Sequence, residues 1–156
     1  PEAQLDRFIM QIDVGYPDAA TERRILLETT SETSATAKAA MTSEELMAAQ
    51  RLMRRLPVGE SVVDAILNLV RSARPGEGDP SIADLLAWGP GPRAGQSLML
   101  AVRARALIQG RLAPSLDDVA ALAEPVLKHR IALTFAARAE GETVTAIIRR
   151  LVSKIG

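Results

Sequence analysis

Trp88-Gly89-Pro90-Gly91-Pro92-Arg93-Ala94-Gly95 reads as a turn feeding a long Ala/Leu-rich helix, and it puts an arginine in that helix's first turn. Glycine and proline restrict the turn, and Pro92 suits the first helical position, where its missing N–H costs nothing. A helix start carries partial positive charge, so a cation is disfavoured there. An anion reached by the Arg93 guanidinium together with free N–H groups would offset that cost. The plainer reading is a solvated arginine beside a rigid turn. From Pro92 to about Gln109 the helix is apolar over most of its circumference, through Leu98, Leu100, Ala101, Val102, Ala104, Leu107 and Ile108. Such a helix is central to its domain. Gly110 ends it.

Helical signals continue on both sides. Downstream, Ser115 with Asp117 and Asp118 starts a helix that Pro125 is expected to interrupt. Glu142 to Lys154 repeats Val144, Ile147, Ile148, Leu151, Val152 and Ile155 at helical spacing. Upstream, Ile82 to Trp88 is a short apolar segment. Before it, Ser61 to Asp64 resembles a capping box for a helix to about Ala73, with Val63, Ile66, Leu67 and Val70 as its buried stripe. Ser43 caps a helix through Arg55 with Leu46, Ala49 and Met53 inward, and Asp18 caps one to about Glu28. Between those two, residues 29–42 are rich in Ser, Thr and Ala and read as a flexible loop.

The N-terminal end differs. Pro1 to Phe8 reads as a short helix. Ile9 to Val14 alternates Met10, Ile12 and Val14 with Gln11 and Asp13, the clearest strand pattern in the chain. A lone strand has no ladder, so its partners are expected in a missing part or another molecule. In this chain alone it is expected to be displaced, disordered or paired with another chain. Gly15-Tyr16-Pro17-Asp18 is a turn.

Composition narrows the classes. The 156 residues suggest one domain, or one with an appendage. Hydrophobic residues make up 47% but aromatics only 3%, so the core must be built from Ala, Leu, Ile, Val and Met, a mixture that favours helices. Lys+Arg and Asp+Glu balance at 19 each, against general nucleic-acid binding. The pairs Arg23-Arg24, Arg54-Arg55 and Arg149-Arg150 fall on amphipathic helices, where a solvated face explains them. Cysteine is absent, which fits a cytoplasmic protein and excludes thiolate metal sites. A single histidine, His129, makes no histidine cluster, so no metal site is expected; within Lys128-His129-Arg130 it suits a helix C-terminus. Asp117 and Asp118 are explained by helix N-terminal charge. No apolar run approaches the ~18 residues of a membrane span, and no signal peptide or phosphate loop occurs. The chain opens on Pro1 inside apparent structure, which reads as a fragment of a longer protein.

Two arginine motifs then belong together. Pro1-Glu2-Ala3-Gln4-Leu5-Asp6-Arg7-Phe8, Gly15-Tyr16-Pro17 and Gly89-Pro90-Gly91-Pro92-Arg93-Ala94 closely resemble the C-terminal part of the MoxR-type AAA+ ATPases, a bacterial, chaperone-like family. So do Arg103-Ala104-Arg105-Ala106-Leu107, Gly110-Arg111 and Ser115 to Arg130. The resemblance spans nearly the whole chain and weakens at residues 29–42 and after Leu133. The family commonly has serine or another small residue where Gly91 stands.

The resemblance implies a mainly α fold: a C-terminal helical lid bundle over residues 18–156, preceded by a helix-strand remnant of the α/β nucleotide-binding core over residues 1–17. Arg7 would be the arginine finger, acting in trans on the γ-phosphate held by a neighbouring subunit. Arg93 would be the sensor-2 arginine of the lid. Ile9–Val14 would be the last core strand and Gly15-Tyr16-Pro17 the hinge, with Tyr16 and Pro17 on the adenine side. Their plainer role is a rigid turn that caps a helix. The parent would bind ATP with Mg²⁺, assemble into a ring, expected to be a hexamer, and remodel or activate partner proteins. The fragment alone would hold no nucleotide and hydrolyse none. Two other readings are a helical interaction or adaptor module whose arginines bind an acidic partner, and a helical nucleic-acid-binding domain.

Overall fold

The Pro92 helix is the axis of the molecule. In the computed structural model, which describes residues 2–32 and 36–155, Pro92 is its first residue and Gly91 its N-cap. This helix, α5 below, runs Pro92–Ile108 and closes on Gly110 at φ +72°, a backbone region that suits glycine. There Gly110 N–H donates to Leu107 O at 2.9 Å and Arg111 N–H to Ala106 O at 2.8 Å, the paired bonds of a Schellman end.

The elements in chain order are α1 (Glu2–Leu5), α2 (Ala19–Thr29), α3 (Ser43–Arg55), α4 (Glu60–Ser72), β1 (Leu86–Trp88), α5, α6 (Leu116–Leu127), β2 (Ala132–Leu133), α7 (Phe135–Ala139) and α8 (Val144–Val152). Helix α5 packs against α3, α4 and α6, and α6 also meets α4 and α8. Their shared core includes Ile66, Leu98, Val102, Val119, Val126, Leu127, Ile147 and Ile148. Alanines at 94, 101, 106 and 123 are buried between them. The core is aliphatic: Phe8, Tyr16, Trp88 and Phe135 are all exposed.

Several boundaries differ from the sequence reading. Helix α4 starts at Glu60, because the Gly59 carbonyl already accepts from Val62 and Val63 N–H at 3.0 and 3.2 Å; Ser61 is inside the helix. Its buried face is Val62, Ile66, Leu69 and Val70, whereas Leu67 is 52% exposed and Val63 only partly covered. Contact with α5, α6 and α8 together rotates the expected stripe. Thr42, not Ser43, caps α3, through a reciprocal box in which Glu45 N–H donates to Thr42 Oγ1 at 3.1 Å and Thr42 N–H to Glu45 Oε2 at 2.7 Å. Asp18 caps α2 by accepting from Thr21 N–H at 2.7 Å. Neither α2 nor α3 has a buried residue. Described residues between them form no helix; residues 33–35 of that expected loop lie outside the description.

Pro125 does not interrupt α6. It stands near the helix end, and the residue whose carbonyl it deprives of a partner, Ala121, is exposed to water. Helix α8 is shorter than expected, and α7, separated from it by a turn with Gly141 at φ +84°, was not anticipated. Strands β1 and β2 were also not anticipated. They pair antiparallel, Leu86 opposite Leu133 and Trp88 opposite Ala132. By contrast, Ile9–Val14 forms no strand. Its one backbone–backbone bond among the described residues runs from Gln11 N–H to Pro125 O, 2.8 Å. Helix α1 stops before Arg7, and Pro1, its expected first residue, lies outside the described residues.

Candidate anion cleft

Steric contact fixes the turn that carries Arg93. A Cβ on Gly89 would lie 2.4 Å from Ala73 O and 2.8 Å from Pro75 Cδ, so only glycine lets the chain cross the end of α4 this closely. Pro90 is buried behind it. Gly91 faces open space, has no side-chain cap to offer, and is followed by Pro92 and Arg93 with no acidic residue in the first turn. Arg93 is therefore an exposed cation at an uncapped, electropositive helix start.

Arg7 reaches the same place from far away in sequence. Asp6, Arg7, Arg93, Gln96, Ser97 and Leu100 line one open cleft between the N-terminal segment and α5. The Arg7 guanidinium stands 5.5 Å from the centre of the Phe8 ring, a cation–π contact that leaves its N–H groups available. Among the described residues, neither Arg7 nor Arg93 has a hydrogen-bonding or ion-pairing partner for its guanidinium. Tyr16 and Pro17 do not join this cleft; both are exposed, Tyr16 almost completely.

Behind the cleft lies a group that sequence reasoning missed. Arg130 is buried, its side chain only 1% exposed. Its Nε donates to Asp6 Oδ1 at 3.0 Å. Its Nη atoms reach the carbonyls of Asp6 at 2.8 Å, Phe8 at 2.5 Å and Ile9 at 3.2 Å, the Val126 carbonyl, and Ser97 Oγ at 3.2 Å. The sequence showed only a basic cluster after α6; four of the six acceptors come from the opposite end of the chain. Beside it, His129 Nε2 lies 3.2 Å from Phe8 O. Burial, then the positive Arg130, holds the imidazole pKa below its ordinary value, so the ring is neutral near pH 7 and its Nε2–H donates to that carbonyl. Lys128 pairs with Asp13, a further tie to the N-terminal segment.

A second arginine cluster is closed on itself. Buried Asp118 accepts from Arg105 Nε at 3.0 Å, from Arg111 Nη1 and Nη2 at 2.8 and 2.6 Å, and from Ser115 N–H at 2.8 Å. The Arg111 hydrogen bonds, outweighing burial, lower the Asp118 pKa to about 2. The carboxylate expected to serve the α6 dipole is thus also the anchor of two arginines. Among the described residues no His/Cys/Asp/Glu group could hold a metal ion, and no helix is long and apolar enough to cross a membrane.

Comparison with known proteins gives a consistent set. Residues 81–151, from before β1 to the end of α8, match the AAA lid domain family. The chain is 32% identical over 157 residues to chaperone MoxR1 of Mycobacterium tuberculosis, covering 99% of this chain and 41% of that protein. It is also 32% identical over 156 residues to the uncharacterized protein YeaC of Bacillus subtilis, again covering 99% of this chain and 47% of the relative. The crystal structure of a Cytophaga hutchinsonii putative ATPase superposes with a TM-score of 0.88 at 25% identity, over all of this chain and 48% of that one. The chain spans less than half the length of each.

Proposed function

For a chain that belongs to the MoxR-type AAA+ ATPases and carries an AAA lid over residues 81–151, we propose that Arg7 and Arg93 act together on the γ-phosphate of one ATP molecule. The observation that carries this reading is their position: two exposed guanidiniums line one cleft, without an anion of their own among the described residues. Asp6 lines the cleft too, but its carboxylate is engaged by Arg130.

The chemistry suits arginine. In hydrolysis, water attacks the γ-phosphorus and the bond to the β–γ bridging oxygen breaks, releasing ADP and phosphate. Negative charge is spread over the peripheral oxygens in between, and catalysis consists largely of positioning and neutralising it. A guanidinium fork binds two oxygens at once and stays charged. Arg7 serves as the finger for a nucleotide held by a neighbouring subunit, and because Arg93 shares its cleft, Arg93 serves that same nucleotide. ATP is the substrate, accompanied by Mg²⁺, whose ligands this reading assigns to the nucleotide-binding core. Residues 1–17 then belong to that core and residues 18–156 to the lid. Turnover depends on ring assembly, and lid movement transmits it to a partner protein. Tyr16 and Pro17 keep the weaker adenine-side role at the hinge.

The test uses the full-length polypeptide that carries this chain. Arg7→Ala should cut kcat by roughly 10³-fold or more while ATP binding persists. Mixing Arg7→Ala with wild-type subunits should lower turnover through the shared site. Normal turnover in Arg7→Ala removes the finger role, and normal turnover in Arg93→Ala returns that residue to a solvated helix start.

A further inference from the structure

We infer that Arg130 is the positioning residue that holds Arg7 in register with Arg93, a role that rests on the phosphate reading above. Arg7 lies just past α1, in a turn without regular structure of its own. The carbonyls on both sides of it, those of Asp6 and Phe8, accept from one Arg130 Nη atom, and that of Ile9 accepts from the other. The backbone carrying Arg7 is therefore gripped on either side while its guanidinium remains free.

The same two Nη atoms also reach the frame of Arg93, the one that holds Asp6 and Phe8 contacting Ser97 and the one that holds Ile9 contacting Val126. Ser97 lines the same cleft one turn along α5, and Val126 lies in α6. Just beyond Arg130, β2 pairs with β1, the strand leading directly into the Arg93 turn, and Thr134 N–H closes on Leu85 O at 2.8 Å. One buried cation thus references both arginines to a common frame. A planar fork with five N–H donors, one of them shared between two acceptors, can span a carboxylate, three carbonyls of one segment, the Val126 carbonyl and a hydroxyl; a lysine ammonium cannot. The function is geometric, since a displacement of about 1 Å at a reacting centre can cost ~10²-fold in rate.

Arg130→Lys keeps the buried charge and loses the fork; Arg130→Gln loses the charge, and is measured in parallel so that a folding failure of one leaves the other. In the full-length ATPase, either should lower kcat at least about tenfold with the KM for ATP changed less than about twofold. Combined with Arg7→Ala, neither should lower kcat beyond Arg7→Ala alone, because the residue acts through Arg7. In the 156-residue chain, which has no native cysteine, a spin label on Gln4→Cys, an exposed position just ahead of the gripped residues, should gain mobility when Arg130 is replaced while the helical circular dichroism stays constant. Unchanged kcat, effects that multiply with those of Arg7→Ala, or an unchanged label would each overturn the positioning role. If Arg7→Ala itself turns over normally, the phosphate reading fails, and the label measurement still decides whether Arg130 clamps the segment.

Discussion

Two arginine clusters have opposite bookkeeping. Around Asp118, Arg105 and Arg111 meet a carboxylate within the fold, and every oxygen of that carboxylate is engaged. In the cleft, Arg7 and Arg93 form no ion pair among the described residues, because Asp6, which lines it too, is engaged by Arg130. The first arrangement contributes to holding the start of α6 against the end of α5. The second leaves two cations without an ion pair in the fold, available to a ligand. An arginine's role is therefore read from the location of its anion, not from its exposure or its motif.

The contrast can be broken by mutation. Its largest expected effect is in the cleft: Arg7→Ala should cost roughly 10³-fold in turnover while the stability of the isolated chain moves by less than about 0.5 kcal/mol. A urea titration that showed Arg7→Ala strongly destabilised would erase the distinction between the clusters. The closed cluster should show the reverse. Asp118→Ala removes a buried carboxylate that bonds two arginines and the start of α6 and should cost about 2–3 kcal/mol by the same titration.

Acid sharpens the comparison by a smaller amount. Asp118 has a folded pKa of about 2 against 3.8 for the free group, so its stabilisation is complete above the unfolded value and disappears as pH falls through the folded one. The amount is about 2 kcal/mol. His129 acts in the same direction at milder pH: its depressed pKa means that the fold is weakened as pH drops below about 6.5. Unfolding free energy should therefore decline in two stages, and Asp118→Asn should shrink the one between pH 4 and 2, to which Asp79, held near 2 by hydrogen bonds from Lys154 and Ser81, also contributes. The smallest effect is at the helix start. Gly91→Ser fits open space and supplies the missing cap, so it should stabilise α5 by a few tenths of a kcal/mol in thermal melts.

What was legible in the sequence was what depends on local chemistry. Pro92 at the first helical position, Gly110 at the helix end, the Asp18 cap and the stripe of α8 all follow from neighbours within a turn or two. Arg7 and Arg93 were found as motifs, but not as neighbours. Arg130 was hidden because four of its six acceptors belong to Asp6, Phe8 and Ile9, at the far end of the chain. The short pairing of β1 with β2 is too brief to show a period, and the face of α4 turned because α5, α6 and α8 all press on it. Ile9–Val14 shows the reverse failure: its alternation is real, but pattern alone does not make a strand where no neighbouring strand is bonded to it.

The position of Trp88 has an optical consequence. It is the one tryptophan of the chain, half exposed at the end of β1 and directly ahead of the turn that carries Arg93. All the remaining aromatics are phenylalanines and one tyrosine, so selectively excited emission comes from this single indole. The lid thus carries a native fluorophore just ahead of the Arg93 turn, and anything that shifts that turn on its bed against α4 will be written into the colour and intensity of that emission.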